Sequence, residues 1–166
     1  MVKKLIILLI ISMFLNNINL SSTFADNSEK DPVDEQYYKL GYGKLEDVVN
    51  KFEKDNKVTV SLPMEYPFDI THSFAKVDNE GKLQLYYLNS RNKQVLKIFL
   101  TLNRNLLEVD GEEVVLKGNI NAVIKDVGKV KKIDFIKNNL LYSISYYKDN
   151  INLTDQDLVN ISNSIK

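Results

Sequence analysis

Leu140-Leu141-Tyr142-Ser143-Ile144-Ser145-Tyr146-Tyr147 alternates between two kinds of side chain. On a strand it puts Leu140, Tyr142, Ile144 and Tyr146 on one side and Ser143, Ser145 and Tyr147 on the other. The same period of two recurs upstream. Leu83, Leu85 and Tyr87 oppose Gln84 and Tyr86, and Leu96, Ile98, Leu100 and Leu102 oppose Phe99. Breakers punctuate the chain from Val58 at strand-like intervals, predicting strands near 58–62, 70–77, 82–89, 94–102, 106–110, 113–117, 120–125, 130–137 and 140–147. Asn79-Glu80-Gly81, Ser90-Arg91-Asn92-Lys93, Asp110-Gly111, Gly118-Asn119 and Asn138-Asn139 supply the turns. Strands joined by such short turns form an antiparallel meander.

Helical periodicity flanks this block. Leu45, Val48, Val49 and Phe52 repeat on one helical face, with Glu46 and Asp47 in the first turn and Lys51 and Lys54 in the last, complementing the helix dipole. A second helix follows Leu153-Thr154-Asp155-Gln156-Asp157, where Thr154 and Asp157 can cap one another, and it would bury Leu158, Ile161 and Ile165. Asp31-Pro32 reads as an N-cap followed by proline at the first helical position, with Gly41 as the stop. The expected architecture is α+β: a curved antiparallel sheet with the 44–54 helix and the C-terminal helix packed on it.

The first 25 residues have a different character. Lys3-Lys4 precede the apolar run Leu5–Leu15, and the segment ends Ser21-Ser22-Thr23-Phe24-Ala25. Eleven apolar residues fall short of the roughly 20 that span a bilayer, whereas a basic start, a short apolar run and small residues at Thr23 and Ala25 fit a cleaved secretory signal. The organisation expected is a signal over 1–25, a flexible or partly helical lead over 26–43 and a single α+β domain over 44–166. The destination is extracytoplasmic, in the medium or the cell wall. No cysteine is present, so the domain has no disulfides.

Of the 22 basic residues, Lys3 and Lys4 belong to the expected signal, leaving 20 against 22 acids, a net charge of −2. That balance argues against nucleic acid or anionic lipid as the partner. The strong excess of lysine over arginine, with abundant isoleucine and asparagine, points to AT-rich coding and a Gram-positive source.

Leu62-Pro63 and Tyr66-Pro67, the strand Leu83-Gln84-Leu85-Tyr86-Tyr87, and the ending Leu141–Tyr146 followed by Leu153-Thr154 and a helix closing Ile161-Ser162-Asn163-Ser164-Ile165 together form a pattern. In it the stretch from about Val58 to Lys166 resembles a family of secreted Gram-positive domains known as domain of unknown function 4367. Ile133-Asp134-Phe135 stands where that family usually carries a tryptophan. The resemblance implies a domain found after a signal peptide or outside the membrane, and it implies no activity. In shape alone, the expected sheet is also similar to the open half-barrels that carry lipoproteins through the periplasm.

The residue inventory is poor in catalytic signals. The one histidine, His72, adjoins Ser73, and on a strand the two point to opposite faces, so they cannot form a nucleophile–base pair. One histidine without cysteine does not make a zinc site. Asp78-Asn79-Glu80-Gly81 and Asp149-Asn150-Ile151-Asn152 offer oxygens without the spacing of a calcium loop and read as turns. No cofactor is expected.

Aromatic placement is more informative. Tyr86, Phe99 and Tyr147 all fall on the side opposite the apolar stripe, and with neighbouring strands in register they would form an aromatic strip. If one helix covers each face, the strip lies under Leu45, Val48, Val49 and Phe52. If both helices share a face, the strip is a surface for a peptide, glycan or lipid. The function expected is a monomeric, non-enzymatic binding or sensing domain whose partner is an extracellular protein, peptide, glycan or lipid. The rivals are a carrier with an apolar cavity lined by Leu88, Phe99 and Val123, and a small hydrolase built on two carboxylates across a cleft.

Overall fold

The computed structural model describes residues 31–102 and 110–166. Among them are three helices, α1 (Pro32–Lys39), α2 (Leu45–Asn56) and α3 (Asp155–Asn163). The eight strands are β1 (Gly43–Lys44), β2 (His72–Val77), β3 (Leu83–Asn89), β4 (Gln94–Leu102), β5 (Glu112–Leu116), β6 (Ile120–Val127), β7 (Val130–Lys137) and β8 (Leu140–Tyr147). The expected signal and most of the strand expected at 106–110 lie outside the described residues; Asp110 itself is in no strand. The compact unit runs from Asp31 to Lys166, and none of its described helices is long and apolar enough to cross a membrane.

The protein is α+β, with one curved, open antiparallel sheet. Its strand order is β1-β2-β3-β4-β8-β7-β6-β5, so two four-stranded runs meet at the β4–β8 pair. That junction joins Leu96 to Tyr146, Ile98 to Ile144 and Leu100 to Tyr142. The turns that stitch the second run are local. Asn138 and Asn139, at φ 50° and 61°, make a two-residue left-handed turn between β7 and β8, a conformation asparagine tolerates and most residues resist.

One face, called the first, carries Leu83, Leu85, Tyr87, Leu96, Ile98, Leu100, Ile133, Phe135, Tyr142 and Ile144, all buried. Both α2 and α3 pack on it, the former through Val49 and Phe52 and the latter through Leu158 and Ile161, with Ile165 just beyond α3. Phe135 and Tyr142 stack within this core at 5.2 Å. The capping box expected at Thr154 is present: its hydroxyl accepts from Asp157 N, and Asp157 Oδ2 accepts from Thr154 N at 2.7 Å.

The strand expected at 58–62 is extended but joins no ladder. This segment lies against the first face; at its ends Val58 N donates to Glu53 O and Leu62 O accepts from Lys166 N, and its middle is held by side chains. Val60 N donates to Glu53 Oε1 at 2.7 Å, Ser61 N donates to the Tyr142 hydroxyl at 3.0 Å, and that hydroxyl donates to Ser61 O. Alternation at Val58 and Val60 is real, but it reflects burial on one side and not strand pairing.

Candidate functional site

Because α2 and α3 share the first face, the second face is left to other company. At its β2–β3 end lies α1, capped by Asp31, whose Oδ1 accepts from Val33 N at 2.8 Å, and closed at Gly41, where φ is +81°. Its Val33 and Tyr37 pack with Tyr42, Phe74, Tyr86, Leu88 and Val95 in a cluster separate from the main core. Tyr37 stacks flat on Phe74 at 4.4 Å, and Tyr42 meets Tyr86 edge-on at 5.0 Å. Burial raises the pKa of Tyr37 and Tyr42, so both rings stay neutral and act as apolar bodies with a polar tip.

Tyr86, Phe99 and Tyr147 are all carried on this second face, but register separates them. Tyr86 faces Lys97 across the β3–β4 ladder, while Phe99 faces Gln84 on one side and Ser143 on the other. What joins Tyr86 to Tyr147 is Lys97, whose Nζ lies 4.9 Å from the centre of the first ring and 4.7 Å from that of the second. Among the described residues no carboxylate pairs with this ammonium. The aromatic faces stabilise it through their quadrupoles, and Tyr147 is 40 % exposed at the open side of the sandwich.

Two further charged features belong to the second face. Asp134, paired in register with Ser143 and Val123, is buried and accepts from Lys132 Nζ at 2.7 Å through one oxygen, while its other oxygen has no partner among the described residues. His72 donates or accepts at both nitrogens: Nε2 lies 2.9 Å from Asp31 Oδ2 and Nδ1 lies 2.8 Å from Thr71 Oγ1. A carboxylate, imidazole and hydroxyl in line can activate a nucleophile. Here the Thr71 oxygen also accepts from Ser90 N at 2.9 Å and lies 3.1 Å from Leu88 O, so it is engaged in fastening β2 to β3. Accepting from His72 and from Val33 N lowers the Asp31 pKa.

Among the described residues the carboxylates with a shifted affinity are Asp31, Asp78 and Asp157, all lowered by hydrogen bonds they accept: Asp31 from His72 and the α1 cap, Asp78 in its turn and Asp157 in the α3 cap. A general acid needs the opposite shift. Asp78 accepts from Glu80 N and Lys82 N and organises the β2–β3 turn. Among the described residues no three metal-ligating side chains gather. Leu88, Phe99 and Val123 share the second face, but Leu88 is buried under α1 beside Tyr42 and Phe74.

Family models, curated proteins and solved structures were compared with the chain, and none matches. The site therefore rests on its own geometry. Sequence reading found the three rings but missed Lys97, although Val95-Leu96-Lys97-Ile98-Phe99 carries a lone charge in an apolar strand. Its partners became visible only with the register of β3, β4 and β8.

Proposed function

We propose that this protein is an extracytoplasmic, non-enzymatic binding module that presents the second face of its sheet to an anionic partner. The carrying observation is Lys97, held between Tyr86 and Tyr147 without a carboxylate of its own among the described residues. A cation fixed by two rings loses little side-chain freedom on binding and offers a bare charge beside flat apolar surface. An anionic group carried on an apolar or sugar scaffold fits that pairing. The extracytoplasmic setting rests on the basic start, short apolar run and small residues of the first 25 positions.

The test is a titration of the protein, followed by the ring resonances of its tyrosines, against polyglutamate, polyphosphate and chitohexaose. Shifts at Tyr86 and Tyr147 with an anionic probe, lost in Lys97→Met, support the reading. Binding of the neutral sugar alone, or anion binding untouched by Lys97→Met, refutes it.

A further inference from the structure

α1 is an unusual neighbour for a sheet. Among its residues none is buried, yet beneath it Phe74 and Leu88 are only 2 % and 6 % exposed. It is attached by a small set of contacts: Val33 and Tyr37, four residues apart on one helical face, the half-exposed Tyr38 ring edge-on to Phe74 at 5.9 Å, and the Asp31–His72 pair at its start. A helix of eight residues is too short to be stable by itself, so docking is what forms it. At its other end Gly41 takes the left-handed conformation that closes the helix, and nothing lies within 4 Å of where its Cβ would stand. The cluster that α1 makes is distinct from the main core.

Its chemistry complements what it covers. Asp31 at the N-cap meets His72, Asp34 and Glu35 lie in the first turn with Glu35 paired to Lys39 of the same helix, and the surface beside α1 carries Lys76 above the Tyr42 ring at 4.3 Å and Lys97 beyond Tyr86. Tyr86 touches Tyr37 and Tyr42 on one side and Lys97 on the other, so the surface under α1 is continuous with the Lys97 sandwich. Lifting α1 would uncover Phe74, Tyr86, Leu88 and Val95 as one aromatic and aliphatic patch edged by cations. Such a patch on a soluble domain marks a docking surface.

We propose that the β2–β3–β4 part of the second face is a groove for an acidic, amphipathic helical peptide presenting an aliphatic residue and a tyrosine four positions apart, and that α1 is its intramolecular occupant. This rests on the reading of the second face as a binding surface and adds the partner's chemistry and its control. A partner segment of the same pattern docks helix-in-groove where α1 now lies. While α1 is in place it competes at the effective concentration of a short tether, on the order of millimolar. The Asp31–His72 pair is the latch, and the Tyr37–Phe74 stack is the main hold.

The experiment uses the full chain and a labelled synthetic peptide of residues 31–40, Asp-Pro-Val-Asp-Glu-Gln-Tyr-Tyr-Lys-Leu. Tyr37→Ala releases the stack, and His72→Phe keeps an aromatic ring on Phe74 while removing the latch nitrogen Nε2, together with the Nδ1 contact to Thr71. Hydrogen exchange should show α1 amides losing protection by about tenfold or more in either variant, with β3, β4 and β8 amides unchanged. The peptide should bind Tyr37→Ala at least about tenfold more tightly than the parent chain, because its cis competitor is gone. A peptide with alanine for the tyrosine at its seventh position should not bind.

Loss of sheet protection together with α1 in both variants would overturn the proposal, since α1 would then be part of the cooperative core. So would an open variant that ignores the peptide, or binds the alanine peptide equally well. Polyglutamate binding without peptide binding would leave the anion-binding reading standing and remove this inference. Peptide binding unaffected by Lys97→Met would keep the groove and remove Lys97 from it.

Discussion

Replacing Tyr142 by phenylalanine should unfasten the 58–63 segment from the sheet. Tyr142 is fully buried on β8, and its hydroxyl is the partner of both backbone polar groups of Ser61, accepting from N at 3.0 Å and donating to O at 3.2 Å. Ser61 is itself only 6 % exposed, so water does not replace the missing oxygen freely. The ring volume is retained and no cavity of consequence opens. The cost is that of leaving a buried N–H unpaired and a carbonyl under-satisfied, roughly 2–3 kcal/mol. For a domain of this size that lowers Tm by about 8 °C. Urea unfolding monitored by far-UV circular dichroism should show a lower midpoint with an unchanged slope. Tyr147→Phe, at an exposed hydroxyl, is the control and should not move. A loss below about 0.5 kcal/mol in Tyr142→Phe would refute the idea that this hydroxyl pins the segment.

Tyr66, Tyr87 and Tyr142 all have pKa values raised by burial, so the folded state holds their protons longer than the unfolded chain does. Their contribution is complete below about pH 10, where free tyrosine titrates, and is lost as pH rises beyond it; midpoints measured from pH 8 to 12 should fall steeply past 10. Tyr87→Phe should flatten that fall and cost little at pH 7, because among the described residues the buried Tyr87 hydroxyl makes no hydrogen bond of good geometry, its neighbour being the Tyr66 ring at 4.9 Å. At the other end of the scale, Thr154→Ala should cost about 1 kcal/mol by removing the α3 cap. Thr154 is also what lowers the Asp157 pKa. The part of the cap that the hydroxyl makes with the ionised carboxylate is therefore present above about pH 4 and fades as pH falls through the lowered value, so the parent's advantage over Thr154→Ala should shrink in acid while the hydroxyl's bond from Asp157 N remains.

Much of the architecture could be read from local signals. Side-chain alternation is a property of a few consecutive residues, so the assignment of Leu83, Leu85 and Tyr87 to one face and Gln84 and Tyr86 to the other needed no knowledge of neighbours. The α2 stripe and the Thr154 cap are equally local. Strand order is not local: nothing in β4 or β8 announces that the two pair, because both are apolar on the same face and 37 residues separate Leu102 from Leu140. The choice of face for the helices had the same status, and it was decided by both amphipathic helices going to the first face. α1 was the least legible element. Read alone, 26–43 is a polar lead with a weak helix, and its Val33–Tyr37 spacing gains meaning only once Phe74 and Leu88 are beneath it.

Lys97 separates stability from function most sharply. Partly burying an ammonium on a sheet face sacrifices hydration, and the aromatic faces of Tyr86 and Tyr147 return only about 0.5–2 kcal/mol. A methionine of similar length would keep contact with both rings and carry no desolvation cost, with sulfur–aromatic contacts offsetting part of the lost cation–π attraction. Lys97→Met is therefore expected to change stability by no more than about 1 kcal/mol in either direction, while removing the charge that an anionic partner meets. Paired measurements of urea midpoint and polyglutamate affinity on one preparation decide the matter. Unchanged stability with lost binding assigns Lys97 to recognition. A large fall in stability would make it a structural strut of the sheet, and binding would then have to be sought away from the Tyr86–Tyr147 sandwich.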